Sequence, residues 1–112
     1  MATTTFKNYI SNDIGTSNTT IYTAPSGAQT TVIGMTVSNI KTLTDIDISI
    51  SLFSYSANAS AYLLKGAPIP YGDAIVPVGG DQKLVLEGND HIIVSASSAN
   101  AADVVISVLE II

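Results

Sequence analysis

The sequence predicts an all-β fold: a single antiparallel β-sandwich, jelly-roll-like, with about eight strands and an extended N-terminal arm. Short runs rich in β-branched and aromatic residues alternate with Gly, Pro, Asn and Asp at intervals of roughly 8–12 residues, which is typical of sandwiches and barrels. No segment has the periodicity of an amphipathic helix. A chain of 112 residues is long enough for one hydrophobic core and too short for two.

The composition is apolar and poor in charge. Hydrophobic residues make up 46% of the chain and charged residues 12%, against about 25% charged residues in an average soluble domain. No apolar run approaches the ~18 residues that a membrane-spanning helix needs. We therefore expect part of the surface to be covered by other subunits or by a partner.

The charges disfavour nucleic acid and membranes as partners. The formal net charge is −5, and all four cations are lysines, with no arginine. Nucleic-acid and anionic-membrane binding both depend on clustered basic residues, which this chain lacks. It has no cysteine and no secretory signal at its N-terminus, so we expect it to fold in a cytoplasm without disulfides.

Residues 1–18 differ from the rest of the chain, residues 19–112, which we assign to the sandwich. This first segment is rich in Thr, Ser and Asn and has no clear periodicity. One interpretation is a loose terminus. The other is an extended arm across a neighbour, anchored by Phe6 and Tyr9, since disordered tails contain few aromatics.

Two segments define strand faces. In residues 30–38, Thr31, Ile33, Met35 and Val37 share one face, and Gly34 indicates a bulge or a close backbone approach. Residues 45–55 have the clearest alternation of the chain, which predicts a half-buried antiparallel strand. Its predicted inward residues are Ile46, Ile48, Ile50 and Leu52, and its predicted outward residues are Asp45, Asp47, Ser49, Ser51 and Phe53.

The later segments predict two edge strands, a hairpin and a central strand. Pro68, Pro70 and Pro77 restrict their segments to sheet edges or crossovers, because proline cannot donate to a ladder. Residues 83–97 contain two apolar runs joined by Gly88 and its neighbours, which predicts a hairpin. Residues 103–112 are apolar on both faces, as in a central strand or one covered by another subunit.

No catalytic or metal-binding constellation is present, so we predict neither enzymatic activity nor a cofactor. His91 is the sole histidine and lies in a turn, where an exposed histidine is ordinary. A calcium site needs about 6–8 oxygen ligands, and the acidic residues match no calcium motif. These residues are Asp45, Asp47, Asp81, Asp90 and Asp103.

The aromatic residues are the candidates for an interface, because aromatic side chains often anchor protein–protein contacts. The candidate interface residues are Phe6, Tyr9, Phe53, Tyr55, Tyr62 and Tyr71. Phe53 falls on an otherwise polar strand face, where it is either an anchor or an incidental exposed aromatic. Tyrosines could also stack sugars in a carbohydrate-binding module, although the chain has no tryptophan platform.

Several segments together resemble a known family. They are YLLKGAPIP at Tyr62–Pro70, VGGDQKLVLEGND at Val78–Asp90, the ending DVVISVLEII, and the earlier segments Ile21–Pro25 and Val32–Asn39. The chain resembles small virion structural proteins of tailed bacteriophages, including phages of cyanobacteria, and the resemblance covers most of the chain. Asn89 stands where the family pattern has glycine, and the residues before Asn18 depart most.

The resemblance implies a non-enzymatic role on a virus particle assembled in the host cytoplasm. The first expectation is a capsid decoration or cement protein that binds the major capsid protein and copies of itself, as a trimer. The alternative is a neck, tail or fibre protein of the virion.

Overall fold

The computed structural model describes residues 3–79 and 83–112, and this part of the chain contains nine strands and no helix. The strands are β1 (Thr4–Ile14), β2 (Thr19–Thr23), β3 (Gln29–Asn39), β4 (Ile46–Ser54), β5 (Ala59–Ile69), β6 (Ala74–Val78), β7 (Leu84–Glu87), β8 (His91–Ala96) and β9 (Ala102–Ile111). Accordingly, no helix capable of crossing a membrane occurs among these residues.

The strands form two antiparallel sheets with jelly-roll connectivity. The first sheet has the order β1-β9-β3-β6, with β7 also pairing with β3, and the second has the order β2-β8-β4-β5. The pairs are nested: β1 pairs with β9, β2 with β8, β3 with β6 and β7, and β4 with β5. A ribbon of nested antiparallel pairs folded into two sheets is a jelly roll, which confirms the predicted fold class.

The core lies between the sheets and is built from inward residues that alternate with outward ones along most strands. In β4, Ile46, Ile48 and Ile50 are buried as predicted, and Leu52 packs against the core. β9 lies between β1 and β3. Its residues Val104, Ile106 and Val108 share one face and are all buried, as the alternation of a strand requires.

Thr31 and Ile33 of β3 do not share a face with Met35 and Val37, although the alternation in the sequence predicts one face for all four. Val32 is buried, whereas Thr31 and Ile33 are only partly buried and lie toward the outside. The register against β9 shifts between Val32 and Gly34, so the predicted bulge is present and Met35 and Val37 return to the core. The extra residue at the bulge reverses the alternation, which a simple period-two pattern misses.

The predicted hairpin in residues 83–97 is wrong. β7 pairs with β3 in the first sheet, while β8 pairs with β2 and β4 in the second, so the connection crosses between sheets. Leu86 and Ile92 still point into the core, but from opposite sides of it. Alternating apolar residues on either side of a short turn fit a hairpin and a connection between two sheets equally well. In both cases one face of each strand is buried.

Hydrogen bonds to Asp90 hold this crossing in place. The Asp90 carboxylate accepts the backbone N–H groups of Glu87 and Tyr55 at 2.9 and 2.8 Å. The Asp90 carbonyl accepts the N–H of Ala24, and the N–H of Asn89 donates to the Ala24 carbonyl. Asn89 has a φ of 71°, a left-handed conformation that asparagine tolerates better than most residues, so it can replace glycine here.

The first segment also differs from its expected arrangement. Most of residues 1–18 belong to β1, which pairs with β9 of the same chain from Thr4 to Ile14. The segment is extended, as predicted, but it is a jelly-roll strand rather than a region apart from the sandwich. The sequence did not predict this strand, because its inward positions carry Lys7 and Tyr9 and not aliphatic side chains. The alternation of apolar and polar residues that is typical of a strand is therefore absent.

Leu86 offers a direct test of the core. Leu86 is fully buried, whereas its neighbour Val85 is 64% exposed. We expect Leu86→Ala to lower the free energy of unfolding by roughly 2–5 kcal/mol, because it removes buried methyl groups and leaves a cavity. Val85→Ala is the matched control and should change stability little. Urea denaturation measures both, and equal effects would contradict the assigned facing of β7.

Candidate assembly surface

The outer face of the first sheet carries several large apolar side chains. Paired residues of antiparallel strands share a face, so the registers arrange the outward side chains in rows across the sheet. One row runs through Phe6, Leu109, Thr31 and Val85, a second through Asn8, Ser107 and Gly34, and a third through Ile10, Val105 and Thr36. We call these three rows the apolar face.

The apolar face exposes large side chains without any charge. Phe6 is 73%, Ile10 65%, Val85 64% and Val105 43% exposed. The charged outward residues Glu87 and Asp103 lie beyond the rows, opposite Gln29 and Ser38 of β3, and the exposed Lys83 precedes β7 at their border. Two rows with large exposed apolar side chains thus flank the small and polar row of Asn8, Ser107 and Gly34, and a concentration of exposed apolar side chains on one face is a mark of a protein–protein contact.

The outer face of the second sheet has a different chemistry. A hollow of about 190 Å³ lies on it, and its lining is mostly small and polar. The lining residues are Asn18, Ser49, Ser51, Ser60, Ala61, Tyr62, Ile93 and Ser95. This serine face carries hydroxyl groups where the other sheet carries Phe, Ile and Val, so the two sides of the sandwich suit different surroundings.

A buried carboxylate links the two sheets at one flank of the sandwich. Glu110 of β9 is 1% exposed, and it accepts hydrogen bonds from Tyr22 of β2 at 2.6 Å and from Tyr9 of β1 at 3.4 Å. The Lys7 ammonium of β1 lies 3.1 Å from its other oxygen. The single Tyr22 proton goes to Glu110, so the Thr30 hydroxyl, 3.0 Å away, donates to the Tyr22 oxygen. We call these five residues the Glu110 cluster.

The hydrogen bonds and charges of this cluster change its protonation equilibria. The hydrogen bond from Tyr22 holds the pKa of Glu110 below its usual value, with Lys7 contributing in the same direction. Burial, together with the hydrogen bond to Glu110, raises the pKa of Tyr22. The hydrogen bond to Glu110 also raises the pKa of Lys7. At neutral pH the cluster therefore holds an ionised glutamate, a protonated lysine and a neutral tyrosine.

The predicted interface aromatics lie on several surfaces. Phe6 is on the apolar face, whereas Tyr9 turns inward, its ring 5.1 Å from that of Tyr22. Phe53 lies on the outer side of the second sheet and stacks on His91 at 4.8 Å, and Tyr62 is on the serine face with Lys65 over its ring.

Tyr55 and Tyr71 are exposed in turns, after β4 and after β5. The structure thus brings none of the other predicted aromatics beside Phe6 on the apolar face, and their role in contacts stays a prediction. The apolar face includes Ile10, Val85 and Val105, which were not singled out in the sequence, although the two apolar sides of β9 pointed toward them.

Three of the acidic residues considered for calcium accept backbone hydrogen bonds. Asp45 accepts the N–H of Tyr71 in the turn after β5, and Asp103 accepts that of Asp13, where the register of β1 with β9 shifts. Asp90 is the third, as described above. Among residues 3–79 and 83–112, no three His, Cys, Asp or Glu side chains are grouped to hold a metal ion. Asp81 lies outside the described residues.

No protein-family model matches the chain, and no curated protein sequence matches it either. Solved structures of similar fold do exist. A chain of the Bacillus endospore appendages, a family of disulfide-linked pili, is 9% identical with a TM-score of 0.53, covering 99% of this chain and 88% of that one. A chain of the acid-stable capsid of Helicobacter pylori bacteriophage KHP30 is 11% identical with a TM-score of 0.54, covering 100% and 94%.

A third similar structure comes from the infectious bursal disease virus Gx strain. It is 7% identical with a TM-score of 0.56, covering 99% of this chain but only 32% of the viral one. At these identities the likeness is one of fold alone. It places this chain's all-β sandwich among folds that occur in two virus particles and in a pilus.

The Glu110 cluster predicts a specific loss of stability in acid. The pKa of Glu110 is lower in the folded state than in the unfolded state, where it is near 4.5. The ionised carboxylate therefore stabilises the fold above the pKa of the unfolded state, and this stabilisation is lost as pH falls through the pKa of the folded state. We expect wild type to have a larger free energy of unfolding than Glu110→Gln at pH 7. This difference, which we call the stability gap, should become smaller toward pH 3.

Urea denaturation across this pH range measures the gap. Glu87→Gln is the control, since it removes the one other glutamate, which is exposed, and so accounts for the change in net charge. A gap for Glu110→Gln that stays constant from pH 7 to pH 3 would contradict the stabilising role of the ionised carboxylate.

Proposed function

We propose that this chain is a non-enzymatic structural protein of a bacteriophage virion, and specifically a capsid decoration or cement protein that binds and stabilises the shell. The observation that carries the proposal is the apolar face, where Phe6, Ile10 and Val85 are mostly exposed. A surface of this kind gains most when it is buried against another protein.

Two further observations support this role. The resemblance of Tyr62–Pro70 and Val78–Asp90 to small virion proteins of tailed phages points to a particle component. The similarity of fold to the KHP30 capsid chain extends over 94% of that chain, so a chain of this size and fold can serve in a phage capsid. The absence of charge from the apolar face suits burial, because no ion there needs desolvation.

The partners that follow are the major capsid protein and copies of this chain, with a trimer as the proposed oligomer. Nucleic acid and membrane lipid are not proposed partners, because the chain has a net charge of −5 and no arginine. The location is the virion, with assembly in the host cytoplasm.

The alternative is a neck, tail or fibre protein. The similarity of fold to a chain of the endospore appendages supports it, because those appendages are pili. Binding to isolated tails rather than to shells would favour this alternative over decoration.

The proposal is tested by adding purified protein to shells of the encoding phage assembled without it. We expect the protein to bind saturably and to raise the temperature at which the shells break. Phe6→Ser should weaken binding roughly tenfold or more, because it removes an aromatic anchor from the contact. Tyr62→Ser, at a side chain of similar exposure on the serine face, is the matched control and should bind as wild type does.

Binding can be measured by cosedimentation and shell stability by light scattering during heating. A protein that fails to bind shells would overturn the decoration role. If Tyr62→Ser weakens binding and Phe6→Ser does not, the contact lies on the serine face, and its assignment to the apolar face is wrong.

A further inference from the structure

The edges of the two sheets are not equally protected against pairing with another strand. Natural sheets blunt their edges with short strands, prolines and bulges. β2 and β6 have five residues each and β7 has four, and β6 carries Pro77. β5 carries Pro68 and shifts its register against β4.

β1 has none of these features over most of its length. It has eleven residues and no proline, and its register with β9 is continuous from Thr4 to Ser11. Among the described edge strands it is the one that is both long and regular, so it is the edge best prepared to accept a further strand.

The backbone of β1 presents free hydrogen-bonding groups at this edge. Thr3 and Ile112 exchange both of their backbone hydrogen bonds, at 2.8 and 2.9 Å. Bonded residues alternate along an antiparallel pair, so Thr5, Lys7 and Tyr9 direct their N–H and C=O groups toward β9. The groups of Phe6 and Asn8, and of Ile10 beyond them, therefore face away from β9, where no strand of this chain pairs with β1 among the described residues.

The side chains at this edge place no uncompensated charge there. Lys7 is the one charged residue between Thr4 and Asn12, and an inward charge can by itself discourage edge pairing. Here the ammonium is turned toward Glu110 and lies 3.1 Å from its carboxylate, so its charge is already balanced within the chain.

We propose that β1 pairs edge to edge with β1 of a second copy of this chain, antiparallel, around a twofold axis at Asn8. Asn8 then lies opposite Asn8 of the second copy, and Phe6 lies opposite Ile10. These residues are the ones whose backbone groups face the free edge, so each pair can exchange two hydrogen bonds.

The side chains select this register. An axis at Lys7 would set two lysines opposite each other, which destabilises a pair of strands. An axis at Tyr9 would place Phe6 opposite Asn12. The axis at Asn8 instead pairs an aromatic with a β-branched residue on each side, a favourable cross-strand combination. It also sets Lys7 opposite Tyr9.

The pairing extends the apolar face, because Phe6 and Ile10 of both copies come together on the same side of the joined sheets. The contact between copies goes beyond the proposed function and does not depend on it. It can form in solution without a shell, so its failure and a failure of shell binding are measured separately.

Disulfide crosslinking tests the proposed register between the two copies of β1. The chain contains no cysteine, so only the introduced residues can form a disulfide. Opposed residues of a bonded antiparallel pair have Cα atoms about 5.5 Å apart, within the range of about 4.4–6.8 Å that a disulfide spans. We expect Asn8→Cys to form a covalent dimer under mild oxidation at micromolar concentration, in native buffer and not in denaturant.

Three control variants make the result specific to the edge. Thr4→Cys and Asn12→Cys should each stay largely monomeric alone and should crosslink when mixed, because the proposed register sets them opposite each other. Ser107→Cys lies beside Asn8 on β9, on the same face of the sheet, and should not crosslink. Crosslinking of Ser107→Cys equal to that of Asn8→Cys, or none for Asn8→Cys, would overturn the proposal.

A second variant tests the pairing without oxidation. Asn8→Pro removes the N–H group that faces the free edge and leaves the bonds of Lys7 and Tyr9 to β9 in place. For wild type we expect light scattering to give twice the chain mass of 11.6 kDa, or twice the mass of the proposed trimer if the edge joins two trimers. The variant should give half the wild-type value. An unchanged mass for a folded Asn8→Pro variant would contradict edge pairing.

Discussion

The buried carboxylate of Glu110 determines how one flank of the sandwich is arranged. A carboxylate that is 1% exposed must be paired and hydrogen bonded, or it would destabilise the fold. Its partners come from different strands: Tyr22 from β2, and Lys7 and Tyr9 from β1. The cluster therefore connects the second sheet to the first and fixes which side of β1 faces inward.

The orientation of β1 has a direct consequence for the surface. Because Lys7 and Tyr9 turn inward, the alternation of the strand turns Phe6 and Ile10 outward, beside Leu109 and the exposed Val105 of β9. The one lysine of the strand is thus turned away from the apolar face, with its side chain 47% exposed. The hydrogen bonds of Glu110 in this way accompany three outer rows that contain no charged residue, and these rows are the basis of the proposed role in assembly.

The two outer faces divide the surface into regions of different chemistry. The serine face offers hydroxyl groups around Tyr62, and such a surface is compatible with water. The apolar face leaves large side chains in water, at a cost that grows with the exposed area. The serine face thus offers hydrogen-bonding groups to water on one side of the sandwich, although only 12% of the residues are charged.

Local pattern was sufficient for the fold class and for most strand faces. The alternation of Ile46, Ile48 and Ile50 predicted the buried side of β4, and the prolines predicted the edge positions of β5 and β6. The prediction failed where two arrangements bury the same residues. Leu86 and Ile92 would be buried both in a hairpin and in a connection that crosses between the sheets. In the structure the Asp90 carboxylate stabilises the crossing connection, by accepting the backbone N–H groups of Glu87 and Tyr55.

The order of apolar and polar residues along the chain is enough to define a β-sandwich with one core and little surface charge. It does not define which strands are neighbours, because pairing joins residues as distant in the chain as Phe6 and Leu109. The same holds for the Glu110 cluster and for the apolar face. Both are assembled from strands at opposite ends of the chain, and no local pattern encodes such distant contacts.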